Sequence, residues 1–191
     1  EWIITTIWRD KMILTYKDCI KKYGSDYMIK KELEQGKLFQ KSKGVYSEEE
    51  NCSELEIITV KYPRAVFAGA SAYYYYGLTD TIPDEYVLAT RRSDSRIKNE
   101  KIHQIFVKDD IFDMGKSTMQ YRGSTINIYS LERVLVDLIR MKKKLPFDFY
   151  KEIIGNYRDI IHKLDFYTIE TYAGKFRNKR SIMNAIQLEV M

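Results

Sequence analysis

Residues 15–46, TYKDCIKKYGSDYMIKKELEQGKLFQKSKGVY, read as a helix, a tight turn, a second helix and a short basic hairpin. That order leaves few folds open, because it is the core of a winged helix–turn–helix. Thr15 suits the first N-cap, since its hydroxyl accepts from an unpaired amide of the first turn. Tyr16, Cys19, Ile20 and Tyr23 follow at i, i+3, i+4 and i+7, one face of a helix. Gly24 permits the positive φ that follows a helix end, and Ser25 caps the next helix. In that second helix Met28, Ile29 and Leu33 point inward, leaving Asp26, Tyr27, Lys30, Lys31 and Glu34 outside. Gly36 ends it. Leu38–Lys41 and Gly44–Ser47 then pair as a hairpin, with Ser42-Lys43 at its tip.

This arrangement suits a double-stranded DNA partner. Tyr27, Lys30, Lys31 and Glu34 present to a major groove, with Ser25 at the start of their helix. Lys41 and Lys43 on the wing, with Lys21 and Lys22 beside the turn, neutralise phosphates. Lys30 or Lys31 bonds to guanine edges or simply to phosphate; the residue types allow both. The competing reading is an all-α segment whose lysines only solvate a face, or a winged helix that serves as a protein dock. Charge favours DNA: residues 1–47 hold ten Lys/Arg against six Asp/Glu, and the other 144 hold 22 against 21.

An apolar content of 45% with 31% charged residues excludes a disordered chain, and no apolar run approaches the length of a membrane span. The opening EWIITTIWRDKM lacks the pattern of a signal peptide. Its Ile3, Ile4, Ile7 and Trp8 make a helical stripe expected to pack behind the helix–turn–helix. The first residue is not Met, as in a trimmed or incomplete N-terminus. Cys19 and Cys52, widely spaced, and two histidines give neither a disulfide framework nor the usual zinc arrangements. No metal or cofactor is expected, and a reducing cytoplasm is the natural home.

The expected fold is α+β: an N-terminal winged helix–turn–helix (1–47), then a larger α+β domain (48–191) with a small sheet and several helices. The acidic stretch from Ser47 to Glu50 suits a helix start. Leu55, Ile58 and Val60 give that helix an inner face, and Pro63 closes it. Residues 65–78, AVFAGASAYYYYGL, combine small residues with a Tyr73–Tyr76 run ended by Gly77 as a helix C-cap. At most two of those tyrosines fit one core face. They pack the interior, or the outward pair meets a partner or DNA. Glu85–Thr90, Ile102–Val107, Thr118–Tyr121 and Thr125–Tyr129 read as strands, the last two joined by a turn at Arg122-Gly123-Ser124. Ser130 opens an amphipathic helix with Arg133 and the apolar set Leu131, Val134, Leu135, Leu138 and Ile139. It ends in Lys142-Lys143-Lys144, a solvated helix end or a second DNA contact. Helices are expected over 147–161 and 167–176, and a last one carries Ile182, Ile186 and Leu188.

Signs of an enzyme are sparse. P-loop, GxSxG, HExxH and dinucleotide motifs are missing from the sequence. His103 and His162 each stand in an apolar run, as structural histidines do. Pro83-Asp84-Glu85 opens like a metal-dependent nuclease motif, but the acidic-x-lysine pair due on the next strand is missing. A non-enzyme is therefore expected.

With these residues laid out, the chain resembles the AbiEi family of antitoxins from bacterial abortive-infection (phage-defence) toxin–antitoxin systems. The likeness falls on Gly24-Ser25, Leu33, Gly36-Lys37-Leu38 and Gly44-Val45-Tyr46. It continues through Tyr62-Pro63, Ala65-Val66, Ser71-Ala72, Gly77-Leu78-Thr79-Asp80 and Ile82-Pro83-Asp84-Glu85 to Arg122-Gly123 and Ile126–Glu132. FAGASAYYYYGLTDTIPDE is its most specific part, although the family more often has histidine where Tyr76 stands. The resemblance implies a winged-helix domain joined to an antitoxin domain, repression of the protein's own operon, and antagonism of a co-encoded nucleotidyltransferase toxin. It implies a type IV system, in which direct toxin contact is not assumed.

Overall fold

A computed structural model describes residues 13–191. The stripe of Ile3, Ile4, Ile7 and Trp8 lies outside the described residues. The protein is a mixed α+β chain that divides into two units, the first ending at Pro63 and the second running from Arg64 to Met191. This division falls later in the chain than the boundary expected after residue 47. The reason is the helix α3 (Glu54–Lys61), which packs on strands β1 (Ile13–Thr15) and β3 (Val45–Ser47) of the first unit. Leu55 and Ile58 are its buried positions. It starts at Glu54, later than the acidic run suggested.

In the first unit β1 leads directly into α1 (Tyr16–Tyr23). Gly24-Ser25 turns the chain into α2 (Asp26–Glu34), and the hairpin of β2 (Phe39–Ser42) and β3 follows. The three strands are antiparallel in the order β1-β3-β2. Leu14, Cys19, Ile29, Leu38 and Tyr46 make the core, with Ile20, Tyr23 and Leu33 packed against it.

The second unit is built on a five-stranded mixed sheet in the order β6-β5-β4-β8-β7. These are β4 (Val66–Phe67), β5 (Tyr86–Arg91), β6 (Ile102–Val107), β7 (Lys116–Tyr121) and β8 (Ser124–Tyr129). The central β4 is only two residues long and has no periodic signature. It pairs antiparallel to β5 and parallel to β8. The chain then enters α4 (Gly69–Tyr75), whose Ser71 hydroxyl accepts from the Val87 amide at 2.8 Å and so fastens the helix to β5. The β7–β8 hairpin closes through Arg122 and Gly123, both at positive φ (47° and 85°), the conformation that matches strand twist in a two-residue turn.

A short α5 (Asp109–Phe112) precedes β7, and four longer helices complete the unit: α6 (Leu131–Met141), α7 (Phe147–Asp159), α8 (Phe166–Ala173) and α9 (Lys179–Glu189). The helix α6 packs against α4, α8 and α9. Leu188, expected inward on the last helix, is 82% exposed. Lys142–Lys144 form a single 3-10 turn, with Lys142 paired to Glu189 at 2.6 Å.

The tyrosine run divides its faces. Tyr73 and Tyr75 are buried, Tyr73 beside Phe149 and Tyr75 against Phe67 and Tyr121. Tyr76 donates its hydroxyl to the Tyr129 carbonyl at 2.8 Å. From α7, Asn156 donates to the Leu78 carbonyl (2.9 Å), and Glu152 accepts from the Asp80 amide (3.3 Å). The segment 73–80 is therefore clasped at both ends by side chains of later elements.

Arg133 on α6 is 1% exposed. Its Nε donates to Asp137 Oδ2 (2.7 Å), and its Nη1 to the carbonyls of Ile111 (2.8 Å) and Met114 (3.0 Å). The guanidinium also lies over the Tyr129 ring, 4.7 Å from its centroid. Asp137 accepts a second bond from Arg140 (2.6 Å). Gly115 passes so close that a Cβ there would lie 2.6 Å from the Arg133 Cβ, and its φ is 73°. Replacing Arg133 with Met strands two carbonyls and half of a carboxylate's bonding. We expect this to lower the urea-unfolding free energy by about 3 kcal/mol. Lys at the same position should recover only part of the loss, because an ammonium lacks the planar fork. Full stability of the Met variant would show that the network is dispensable.

Candidate nucleic-acid interface

The outward face of α2 is a property of its caps and its core contacts. Thr15 and Asp18 form a reciprocal capping box at the start of α1. Ser25 Oγ accepts from the Met28 amide at 3.4 Å, which starts α2 two residues after α1 ends. Ile29 is buried, and Met28 and Leu33 are half-buried on the same side. With that side fixed, Tyr27, Lys30, Lys31 and Glu34 fall at i, i+3, i+4 and i+7 on the other, and all four are exposed. Among the described residues, Tyr27 is the most open of the unit's aromatics at 73%.

The other sequence-assigned residues are placed less uniformly. Lys21 is exposed on the last turn of α1, and Lys43 is exposed in the hairpin turn. That turn sits at the start of α1, because the Tyr16 amide donates to the Gly44 carbonyl at 2.9 Å. Lys22 is engaged within the protein, paired with Glu48 at 2.6 Å. Lys41 donates to the Glu50 carbonyl and lies 5.1 Å from the Phe39 ring centroid. Ser25 uses its hydroxyl as the cap. Tyr27, Lys30, Lys31 and Glu34 thus share one stripe, whereas Lys22 and Lys41 make their contacts inside the unit.

Two residues here escaped the sequence reading. Tyr16, placed on the inner face by periodicity, is 43% exposed. Its hydroxyl donates to Asp26 Oδ1 at 2.9 Å, bridging the starts of α1 and α2, and that bond raises its pKa. Glu48 accepts from Lys22 and from the Tyr23 hydroxyl (2.5 Å), tying the residue after β3 to the end of α1. Local sequence offers no signal for either contact, since the partners are 10 and 25 residues or more away.

Electrostatics follow from the new boundary. Residues 48–63 carry five carboxylates, so residues 1–63 hold eleven Lys/Arg against eleven Asp/Glu. The second unit holds 21 against 16, which is the whole net charge of +5. Any positive character in the first unit is therefore local, as where Lys30 and Lys31 lie side by side on α2, a helix whose own count is two lysines against three carboxylates. It is not a field of the unit as a whole.

Cys19 is fully buried, and burial pushes its thiol up to about 11. His103, read as a histidine in an apolar run, is exposed on β6 with Nδ1 3.7 Å from Glu85. Among the described residues no group of three or more His, Cys, Asp or Glu is placed to hold a metal ion. Among those residues also, no helix is long and apolar enough to cross a membrane.

Burial alone would raise the Glu48 carboxyl, but the hydrogen bonds from Lys22 and Tyr23 outweigh it and hold the group below its ordinary value of 4.5. A lowered carboxyl stabilises the fold fully above that ordinary value and stops doing so as pH falls through the lowered one. Amide-exchange protection along α1 should therefore weaken on acidification below about pH 4.5. In Glu48→Gln this part of the acid response should be missing. An identical pH profile in the variant would remove Glu48 from the account.

Neither a protein-family model nor a curated protein matches the chain.

Proposed function

We propose that the first unit is a winged helix–turn–helix that binds operator DNA through α2, in a cytoplasmic antitoxin and autorepressor of the AbiEi type. The observation that carries the DNA half is topological. A short strand ahead of two capped helices pairs with the second strand of a following hairpin, in the order β1-β3-β2. That is how a wing is anchored beside a recognition helix. The stripe of Tyr27, Lys30, Lys31 and Glu34 supplies donors and an acceptor in the place where base edges are read. Lys21 and Lys43 contact phosphates at its margins, and Lys22 and Lys41 exchange their internal partners for phosphate on binding. In this reading the second unit counteracts a co-encoded nucleotidyltransferase toxin, a role drawn from the family resemblance.

A second reading is favoured by one observation, the equal counts of acidic and basic residues in the first unit. There the winged helix is architectural, and the exposed stripe meets a protein. A gel shift with the chain's own upstream region, repeated across salt concentrations, separates the two. For a DNA-reading stripe, Lys30→Ala with Lys31→Ala abolishes the shift at moderate salt. Where both lysines meet phosphate, the slope of log K against log salt also falls by about 1.8. Unchanged affinity with an unchanged slope would sink the assignment of α2.

A further inference from the structure

We propose that the end of the β5–β6 ladder is a nucleotide-binding site, with Phe106 as the stacking surface for a base and Arg92 and Lys108 as the phosphate ligands. The site lies wholly in the second unit and does not rest on the winged-helix reading. The ladder is parallel, with Thr90 opposite Phe106 and Arg91 opposite Val107. The Arg92 amide continues it by donating to the Val107 carbonyl at 2.8 Å. Arg92 therefore stands opposite Lys108, and both share a sheet face with Phe106, because side chains alternate with a period of two. Arg92, Asp94, Phe106 and Lys108 together line an open cavity of about 650 Å³, within the size range of small-molecule sites.

Each wall is fixed. Gln104, next along the same face, accepts from the Ile97 amide (2.7 Å) and donates to the Ser95 carbonyl (3.1 Å) and to Thr90 Oγ1 (2.8 Å). The loop after β5 is thereby held against the strand. Asp94 brings a carboxylate, but it accepts from the Arg91 amide (3.1 Å) and from Arg64 (3.2 Å), so its charge is already engaged. Arg91 is committed elsewhere, to Asp113 and the Phe112 ring. Arg92 and Lys108 are exposed, with no ion-pair partner among the described residues. Residues 91–108 hold six Lys/Arg against two Asp/Glu.

The aromatic ring selects the ligand class. A bare anion site needs only the two cations, whereas Phe106, on an edge strand and 46% exposed, adds a flat apolar face beside them. A base carrying a phosphate matches both features. The base must have a free face, as in a nucleotide or an unpaired strand. A duplex hides its base faces in the stack.

The test uses the full chain and a fluorescein-labelled oligouridylate 8-mer, read by anisotropy across salt concentrations. Phe106→Ala should weaken binding about tenfold at unchanged salt slope, and Phe106→Trp should restore it. Arg92→Gln with Lys108→Gln should lower the slope by about 1.4. AMP displacing the probe far better than inorganic phosphate assigns the site to free nucleotides. Displacement by unlabelled single strand alone assigns it to an exposed strand. Wild-type affinity in Phe106→Ala would overturn the proposal, and so would phosphate that displaces the probe as readily as AMP does. Loss of operator binding in the Lys30 and Lys31 variant leaves these outcomes untouched, so the two readings fail separately.

Discussion

The second unit is organised around a single buried cation. A guanidinium taken out of water is costly unless its donors and its charge are met, and Arg133 meets them with one carboxylate, two carbonyls and an aromatic face. Those partners come from three places in the chain: the end of β8, the segment from α5 to β7, and α6 itself. Satisfying the cation therefore fixes where the crossing at 111–115 runs relative to α6. The helix in turn carries α4, α8 and α9. The near-contact of Gly115 with the arginine stem shows how little space the arrangement leaves.

Tyrosine hydroxyls finish what Arg133 begins. Tyr129 donates to the Phe112 carbonyl (2.8 Å), Tyr76 to that of Tyr129, and Tyr157 to that of Leu131 (3.0 Å). Two of the acceptors, Phe112 and Tyr129, lie at the C-terminal ends of regular elements, where carbonyls can lack ladder or helix partners, whereas Leu131 opens α6. A buried phenol supplies apolar surface and one donor together, which suits it to such positions. This explains much of the 62–85 segment that carried the family resemblance. Its tyrosines and the Gly77-Leu78-Thr79-Asp80 turn are held by α6, α7 and the β8 end, so the segment is a packing junction.

Much of the fold was legible in the pattern of residues, and the remainder fails for identifiable reasons. β5, β6, β8 and α6 were visible because each is long enough for its period to show and has a cap or turn residue at its boundary. β1 and β4, at three and two residues, are too short to show any period; they are strands because neighbours pair with them. Arg133 was placed on the right helix, but nothing local reveals that this charged residue is buried along with the helix's apolar side chains. On the α2 stripe, periodicity and caps located Tyr27, Lys30, Lys31 and Glu34 correctly as outward. Glu48 defeated the same logic: read as a helix-starting carboxylate, it instead reaches back to Lys22 and Tyr23, and with the rest of the 48–56 acidic run it cancels the charge that had favoured the first 47 residues.

Cys19 gives the first unit a property unrelated to binding. A thiol with no exposed surface and a raised pKa is inert to alkylating reagents while its surroundings stay closed. It reacts only during excursions in which α1 lifts from the sheet, so its labelling rate clocks those excursions. Cys52, half-buried in the same unit, is a reference thiol that needs no such opening. The pair turns one chain into a self-calibrated gauge of how often its N-terminal core breathes.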